Sequence, residues 1–198
     1  MIQQPNIGES VMQDLQVGAA EASRPFGWLS RRMLNGLVFL GCVGCLVFSY
    51  YVQHYQGVEP CPLCIFQRLA LLAVALVSLA AALHNPREWG AKIYGVLLAL
   101  VAGGGAGIAA RHVWLQHLPP EETPRCGPSL EYMLEAFPLN ETIREVLTGS
   151  GECAKVDWTL LGFSMPQWTL LLFVGLVIVG LWGNWRLPSS TLITVPKS

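Results

Sequence analysis

Residues 61–84 read CPLCIFQRLALLAVALVSLAAALH, a pair of cysteines followed at once by an apolar run from Ile65 to Leu83. Such a run is close to the roughly 20 residues that a helix needs to cross the hydrocarbon core of a bilayer. Comparable runs lie at about 33–52, 93–110 and 168–185. The sequence therefore predicts an all-α membrane protein, a four-helix transmembrane bundle.

The composition supports this fold class. The 198 residues are 53% hydrophobic and only 13% charged, against about 25% charged in an average soluble domain. The mean hydropathy is +0.45. The net charge of −1 gives no basic excess, so nucleic acid is not an expected partner. The hydrophobic composition instead makes membrane lipid the expected surroundings of the chain.

Three segments follow from this pattern. A polar N-terminal tail occupies 1–30, a four-span domain 31–186 and a C-terminal tail 187–198. The first span, 33–52, is too long for the core of a signal peptide, so we interpret it as a retained anchor. A long loop, 114–167, separates the third and fourth spans.

Basic residues orient the spans. Lysine and arginine concentrate in the short flanks on one side: Arg24, Arg31, Arg32, Arg87, Lys92 and Arg186. The positive-inside rule assigns that side to the cytoplasm. Both termini are then cytoplasmic, and the long loop lies on the opposite side of the membrane.

The long loop contains two apolar patterns with helical spacing. They comprise Leu130, Leu134 and Phe137, then Leu139, Ile143, Val146 and Leu147. Asn140 is a candidate N-cap for the second helix, and Gly149 is a candidate stop signal. We expect two short amphipathic helices, either on the membrane surface or over the outer ends of the spans. Ordinary loop helices with no membrane role are the alternative.

The sequence Cys61-Pro62-Leu63-Cys64 lies at the outward start of the second span. Pro62 suits the first helical position, which puts Cys64 in the first turn. Free backbone N–H groups and the helix dipole stabilise a thiolate there, so the pair is predicted to be redox-active. Arg68, four residues beyond Cys64, lies on the same helical face. Its guanidinium could bond a thiolate or a ligand oxygen, or it could anchor a lipid phosphate.

Cys126 and Cys153 lie in the long loop beside turn-forming residues, so both are expected to be accessible. A plain stabilising disulfide is one alternative to a redox role. A four-cysteine zinc site is another, but the loop cysteines lack the paired spacing of structural zinc sites. We therefore predict no metal.

Cys42 and Cys45 form a second CxxC pattern in the middle of the first span. Hydrocarbon disfavours a thiolate, so we interpret these two cysteines as buried apolar packing. The third span contains Gly103, Gly104, Gly105 and Gly107. Such a cluster is typical of a face where helices pack closely.

His112 and His117 fall near the outer boundary of the third span. They could contact the polar head of a ligand. The sequence favours the simpler interpretation of solvated or interfacial histidines.

Together these motifs resemble the bacterial DsbB family of disulfide-generating membrane proteins. The resemblance rests on the four spans, the outward CPLC motif, Arg68 and the two loop cysteines before the fourth span. Further similar segments are Ala110–Gln116, Cys126–Pro128, Gly151–Cys153 and Ser164–Trp168.

The resemblance implies an inner-membrane enzyme that reoxidises a periplasmic DsbA-like thioredoxin-fold oxidase and passes the electrons to ubiquinone or menaquinone. Cys126 would form the mixed disulfide with the partner, and Cys153 would pass the exchange inward. Cys61 and Cys64 would reduce the quinone, with Cys61 facing the loop and Cys64 the quinone. Arg68 matches the quinone-side arginine of the family.

Two alternatives remain at this point. Vitamin K epoxide reductase-like quinone reductases share the bundle and the chemistry, but place their loop cysteines before the CxxC pair. A non-enzymatic four-span scaffold, stapled by Cys126 and Cys153, would leave the CPLC motif and Arg68 unexplained.

Overall fold

The computed structural model describes residues 30–57, 60–86, 88–119, 121–122, 130–156 and 159–187. The predicted tails fall outside these ranges, apart from Ser30 and Leu187. The described helices are α1 (Arg31–Gln56), α2 (Pro62–His84), α3 (Trp89–Gln116), α4 (Leu130–Ala136), α5 (Leu139–Thr148), α6 (Gly151–Ala154) and α7 (Met165–Arg186). Strands β1 (Thr159–Leu160) and β2 (Phe163–Ser164) form a small antiparallel hairpin before α7.

Four helices, α1, α2, α3 and α7, are long and apolar enough to cross a membrane. This confirms the predicted four-span fold. Each helix extends beyond its apolar run because polar residues at the membrane boundary continue the helical hydrogen bonding. The largest difference is in α3, which reaches Gln116 and not Ala110. The predicted start of the loop at residue 114 is therefore wrong, and His112 lies within a helix.

Local sequence signals account for the helix ends. The Ser30 side chain accepts a hydrogen bond from the Met33 backbone N–H at 3.2 Å and so caps α1. Gly57 ends that helix with a φ of 67°, a left-handed conformation that suits glycine. A reciprocal capping box between Ser164 and Gln167 starts α7.

The core of the bundle forms around α3, which packs on α2 on one side and on α7 on the other. At Gly105 an added Cβ would overlap the Phe173 ring, so this glycine allows α7 to approach. The predicted packing face is otherwise wrong. Gly103, Gly104 and Gly107 have nothing within 4 Å of an added Cβ, because these three point away from α7.

Helices α1 and α7 touch at one end of the bundle, which we call the arginine end because Arg31 and Arg186 lie there. Arg31 Nε donates to the Leu187 carbonyl at 2.6 Å. The buried amides of Asn35 and Asn184 bond to each other at 3.1 Å. Farther along, contact between α1 and α7 is sparse, so the bundle is joined at this end and open at the other.

The two predicted loop helices exist as α4 and α5. They lie over the opposite end of the bundle, where Met133 and Val146 join Leu63 and Leu115 in a buried cluster. Much of the predicted apolar pattern, including Leu134, is exposed.

The ends of α5 were predicted with mixed success. Gly149 follows the last helical residue with a φ of 86°, as predicted. The predicted N-cap is wrong because Pro138 occupies that position and Asn140 is already helical. The Pro138 carbonyl accepts from the backbone N–H groups of Glu141 and Thr142.

Candidate functional site

The cysteine pair begins α2 as the sequence predicts. Cys61 is the N-cap residue, and Pro62 is the first helical residue, where its missing N–H leaves no broken bond. Cys64 is therefore in the first turn. The Sγ atoms of Cys61 and Cys64 are 3.2 Å apart, so the two side chains can react with each other or with a common partner.

Cys153 lies beside this pair. Its Sγ atom, the Cys61 Sγ atom and a His112 ring nitrogen are all within 4.8 Å of one another. Cys153 is only 1% exposed, so the predicted accessibility is wrong. The reason is the short helix α6, which turns back after Gly149 and packs Cys153 against Leu63 and Leu115.

The surroundings shift the pKa values of Cys153 and Cys61 in opposite directions. The pKa of Cys153 is lowered to about 6, chiefly because the Cys61 thiol donates a hydrogen bond to it. Burial opposes this shift, while hydrogen bonds from the Leu63 and Ser150 backbones and the Ser150 hydroxyl add to it. The pKa of Cys61 is raised because it hydrogen-bonds Cys153 and Cys64 and is buried. At neutral pH, Cys153 is therefore the thiolate and Cys61 the thiol.

His112 completes the cluster, although the sequence favoured an interfacial position. The side chain is only 3% exposed. Its Nε2 lies 3.1 Å from the Cys153 carbonyl oxygen and 3.8 Å from Cys61 Sγ. Its Nδ1 lies 3.2 Å from Gln67 Nε2 and 4.0 Å from Cys64 Sγ. A carbonyl oxygen only accepts, so the ring proton is on Nε2 and Nδ1 accepts from Gln67.

His117 has no place in this cluster. It follows the end of α3, is exposed, and bonds the Val113 carbonyl of its own helix through Nδ1 at 2.8 Å. Hydropathy alone could not separate the two histidines, because the choice depends on α3 continuing past Ala110. Gln67 was missed as well, and its position three residues after Cys64 on the helix was the available signal.

A cavity of about 1030 Å³ adjoins the cysteine pair, and most of its lining residues belong to α1, α2 and α7. Both Cys61 and Cys64 line it. Polar and charged side chains surround its cysteine end, namely Gln53, Gln67, Arg68, His112, Gln116, Glu152 and Lys155. The remaining wall includes the apolar residues Leu46, Phe48, Val52, Leu71, Met165 and Leu172. The cavity can therefore hold a ligand with a polar head and an apolar tail.

Arg68 lines this cavity but does not bond Cys64 as the helical spacing suggested. Its Nη1 donates to Gln53 Oε1 at 2.5 Å, and its Nη2 donates to the Ser49 carbonyl at 3.4 Å. The guanidinium also lies 5.5 Å from the centre of the Tyr50 ring. These contacts to α1 fix the charge in the cavity wall.

The cysteines of the first span differ from each other. Cys42 is buried in the bundle core with Leu71 and Val74, as predicted. Cys45 packs at the edge of this core and also lines the cavity. The fourth predicted site cysteine, Cys126, lies outside the described residues.

Four apolar spans with three cysteine sulfurs and a cavity at one end define a membrane protein built for thiol–disulfide chemistry. Comparison with known proteins identifies the family. The profile of the family described as Disulfide bond formation protein DsbB matches residues 31–183. The chain belongs to this family.

Individual relatives agree over most of their length. The Disulfide bond formation protein B of Methylococcus capsulatus is 55% identical over 150 residues, which cover 76% of this chain and 92% of the relative. The protein of the same name from Acinetobacter baumannii is 49% identical, covering 80% and 93%. That of Xanthomonas axonopodis pv. citri is 47% identical, covering 85% and 98%. The chain is thus a membrane protein of disulfide-bond formation, the first of the three classes considered above.

Proposed function

We propose that this protein generates disulfide bonds de novo, by reoxidising a periplasmic DsbA-like thioredoxin-fold oxidase and passing the electrons to ubiquinone or menaquinone. The observation that carries the proposal is the position of the Cys61–Cys64 pair, which lines the cavity and also lies beside Cys153, a residue that is not part of the cavity lining. A relay of electrons from a loop to a membrane acceptor needs this arrangement.

The thiol chemistry divides into exchange steps that conserve electrons. The reduced partner attacks the Cys126–Cys153 disulfide at Cys126, forms a mixed disulfide there and releases the Cys153 thiolate. The second thiol of the partner then attacks the partner's sulfur in the mixed disulfide. This forms the partner's own disulfide and releases Cys126 as a thiolate. The partner has lost two electrons, and the loop cysteines have gained them.

Inward transfer starts from the Cys153 thiolate. Its thiolate attacks Cys61 in the Cys61–Cys64 disulfide, which forms a Cys153–Cys61 bond and releases Cys64 as thiolate. Cys126 then attacks Cys153, restores the loop disulfide and frees Cys61. Hydrogen bonds from the Leu63 and Ser150 backbones and from the Ser150 hydroxyl lower the pKa of Cys153, and these bonds need no proton on Cys61. Together with the short distance to Cys61, they support Cys153 as the nucleophile in this step.

The cavity fits a quinone. A quinone accepts two electrons and two protons when it is reduced to quinol. Arg68, Gln67 and His112 could bond a carbonyl oxygen at the cysteine end, while the apolar wall suits a prenyl tail. The guanidinium would favour negative charge at the cysteine end of the cavity, which Cys64 lines together with Cys61.

The proposed orientation places the arginine end in the cytoplasm and the cysteine end in the periplasm of a bacterial inner membrane. Arg31, Arg32 and Arg186 support the first assignment. A disulfide relay also requires an oxidising compartment for its loop. Both termini would then be cytoplasmic.

The direct test measures quinone-dependent oxidation of a reduced thioredoxin-fold donor by the purified full chain. We expect Cys61→Ser and Cys64→Ser each to abolish turnover, since either change removes the disulfide that receives the electrons. Cys42→Ala is the matched control, because Cys42 is buried in the core and does not line the cavity, and should retain turnover. Near-normal turnover in either serine variant would overturn the proposal. The proposal would also be overturned if the redox state of the cysteines in the wild-type protein did not change when quinone is added, which is the result expected for a scaffold.

A further inference from the structure

We propose that the fully reduced site binds one thiophilic divalent cation, with Zn²⁺ as the probe, through Cys61, His112 and Cys153, and that the bound cation blocks disulfide exchange. The binding part stands on geometry alone. The blocking part rests on the proposed function. No cation is needed for the relay itself, so this is an inhibitory site.

The first argument is distance. The three ligand atoms lie within 4.8 Å of one another, and Cys61 Sγ and His112 Nε2 are 3.8 Å apart. Zinc bonds of about 2.3 Å to sulfur and 2.0 to 2.1 Å to nitrogen, in tetrahedral geometry, separate neighbouring ligands by roughly 3.5 to 3.8 Å. A cation can therefore be bound with small side-chain movements.

The second argument is that the ligands are held in place before a cation arrives. Cys61 precedes α2, His112 belongs to α3 and Cys153 belongs to α6. Cys153 and His112 are almost completely buried. Packing of three separate elements therefore fixes the ligand atoms, which lowers the entropy lost on binding.

The surroundings of His112 also suit a ligand. Coordination through Nε2 replaces its bond to the Cys153 carbonyl and moves the ring proton to Nδ1. Gln67 lies 3.2 Å from Nδ1 and can turn its amide oxygen to accept that proton. Such outer partners orient metal-bound histidines in many sites. Cys64 lies next to the cluster, with its Sγ 3.2 Å from that of Cys61.

Binding depends on the redox state. Only thiolates are ligands, so one Zn²⁺ forms two Zn–S bonds and one Zn–N bond while any remaining thiol protons pass to solvent. A disulfide at Cys61–Cys64 or at Cys126–Cys153 removes one of the sulfur ligands. A cation held between Cys61 and Cys153 would prevent either sulfur from attacking a disulfide.

The binding test uses the full-length protein in detergent, reduced with a non-chelating phosphine. Zn²⁺ is titrated in competition with a chromophoric chelator, and Co²⁺ replaces it for absorption spectra. We expect one cation per reduced chain, sulfur-to-cobalt charge-transfer bands, and no binding after oxidation. Cys61→Ser, Cys153→Ser and His112→Ala should each weaken binding by at least about tenfold, the lower bound for disturbing even an outer partner.

A control variant tests specificity. Cys42→Ala, at a buried cysteine outside the cluster, should bind Zn²⁺ as the wild type does. Circular dichroism and thermal unfolding establish that each variant is folded. Unchanged affinity in folded Cys153→Ser and His112→Ala would overturn the site, and so would absence of one-to-one binding to the folded, reduced wild type.

The blocking part has its own readout. Zn²⁺ added to the reduced protein should slow donor oxidation, and a chelator should restore it. Full turnover with the cation bound would overturn the inhibitory role alone. If the protein has no quinone-dependent turnover at all, the proposed function fails while the titration still decides the cation site.

Discussion

Two cysteines in contact carry unequal charge in the reduced site, and their hydrogen bond decides which of the two sulfurs is the thiolate. Cys61 donates a hydrogen bond to Cys153 and keeps its proton, whereas Cys153 accepts that hydrogen bond and ionises easily. Ser150 reinforces this from the start of α6, with its hydroxyl 3.7 Å from Cys153 Sγ. Sulfur chemistry here depends on neighbours that lie far apart in sequence.

The first prediction concerns the pH dependence of Cys153. Its pKa is lowered to about 6 in the reduced site, so the thiolate should predominate above about pH 6 and decline as the pH falls through that value. An ordinary cysteine with a pKa of about 8.5 would already be mostly protonated at neutral pH. The ultraviolet thiolate absorbance of reduced wild type minus that of Cys153→Ser measures the transition. Ser150→Ala should move the transition to higher pH.

A difference spectrum whose only transition lies near the ordinary thiol value would contradict this assignment. The matching control is Thr148→Ala. Thr148 is close in sequence, but its hydroxyl bonds the Arg144 carbonyl at 2.9 Å. That substitution should leave the transition in place.

The site residues show where sequence reasoning succeeds. The roles of Cys61 and Cys64 as a helix-start pair were predictable because proline position and apolar run are local signals. The burial of Cys153 and His112 was not, because it depends on how far α3 continues and on where α6 packs. The partners of Arg68 were missed for the same reason, since they lie on α1.

Hydropathy predicted the four membrane-spanning helices well, because a bilayer imposes a length and a composition on every span. Glycine content was a weaker guide. The third span has four clustered glycines, but only Gly105 faces a large side chain, Phe173 on α7. Contact with another helix depends on rotation about the helix axis, which the glycine count does not report.

The second prediction therefore compares two glycines on α3. Gly105→Ala would place a Cβ in overlap with the Phe173 ring and should destabilise the protein by about 1 to 3 kcal/mol, as overpacking does. Gly103→Ala has nothing within 4 Å and should be neutral or stabilising by up to about 1 kcal/mol, since alanine favours a helix. Thermal unfolding in detergent measures both. Equal effects of the two substitutions would show that the α3–α7 contact is not as close as described.

On the scale of the whole molecule, the four spans form an incomplete ring. Helices α1 and α7 are joined at the arginine end through Arg31, Asn35 and Asn184. Toward the cysteine end they separate, and the cavity occupies the gap. A membrane-soluble acceptor could thus approach the cysteine pair from the bilayer while the loop helices cover the other side.

The third prediction uses this gap. Gly44 of α1 lines the cavity, and an added Cβ there has nothing within 4 Å, so Gly44→Leu should occupy ligand space without disturbing the bundle. We expect the KM for a soluble ubiquinone analogue to rise by about tenfold, equivalent to roughly 1.4 kcal/mol of lost binding. Reduction of the Cys61–Cys64 pair by the donor in a single turnover should be unchanged, because the attacking residue, Cys153, does not line the cavity. Gly36→Leu is the control, since Gly36 is equally uncrowded on the same helix but lies toward the arginine end, outside the cavity lining. A Gly44→Leu enzyme with the wild-type KM, or equal increases in both variants, would exclude the gap between α1 and α7 as the quinone site.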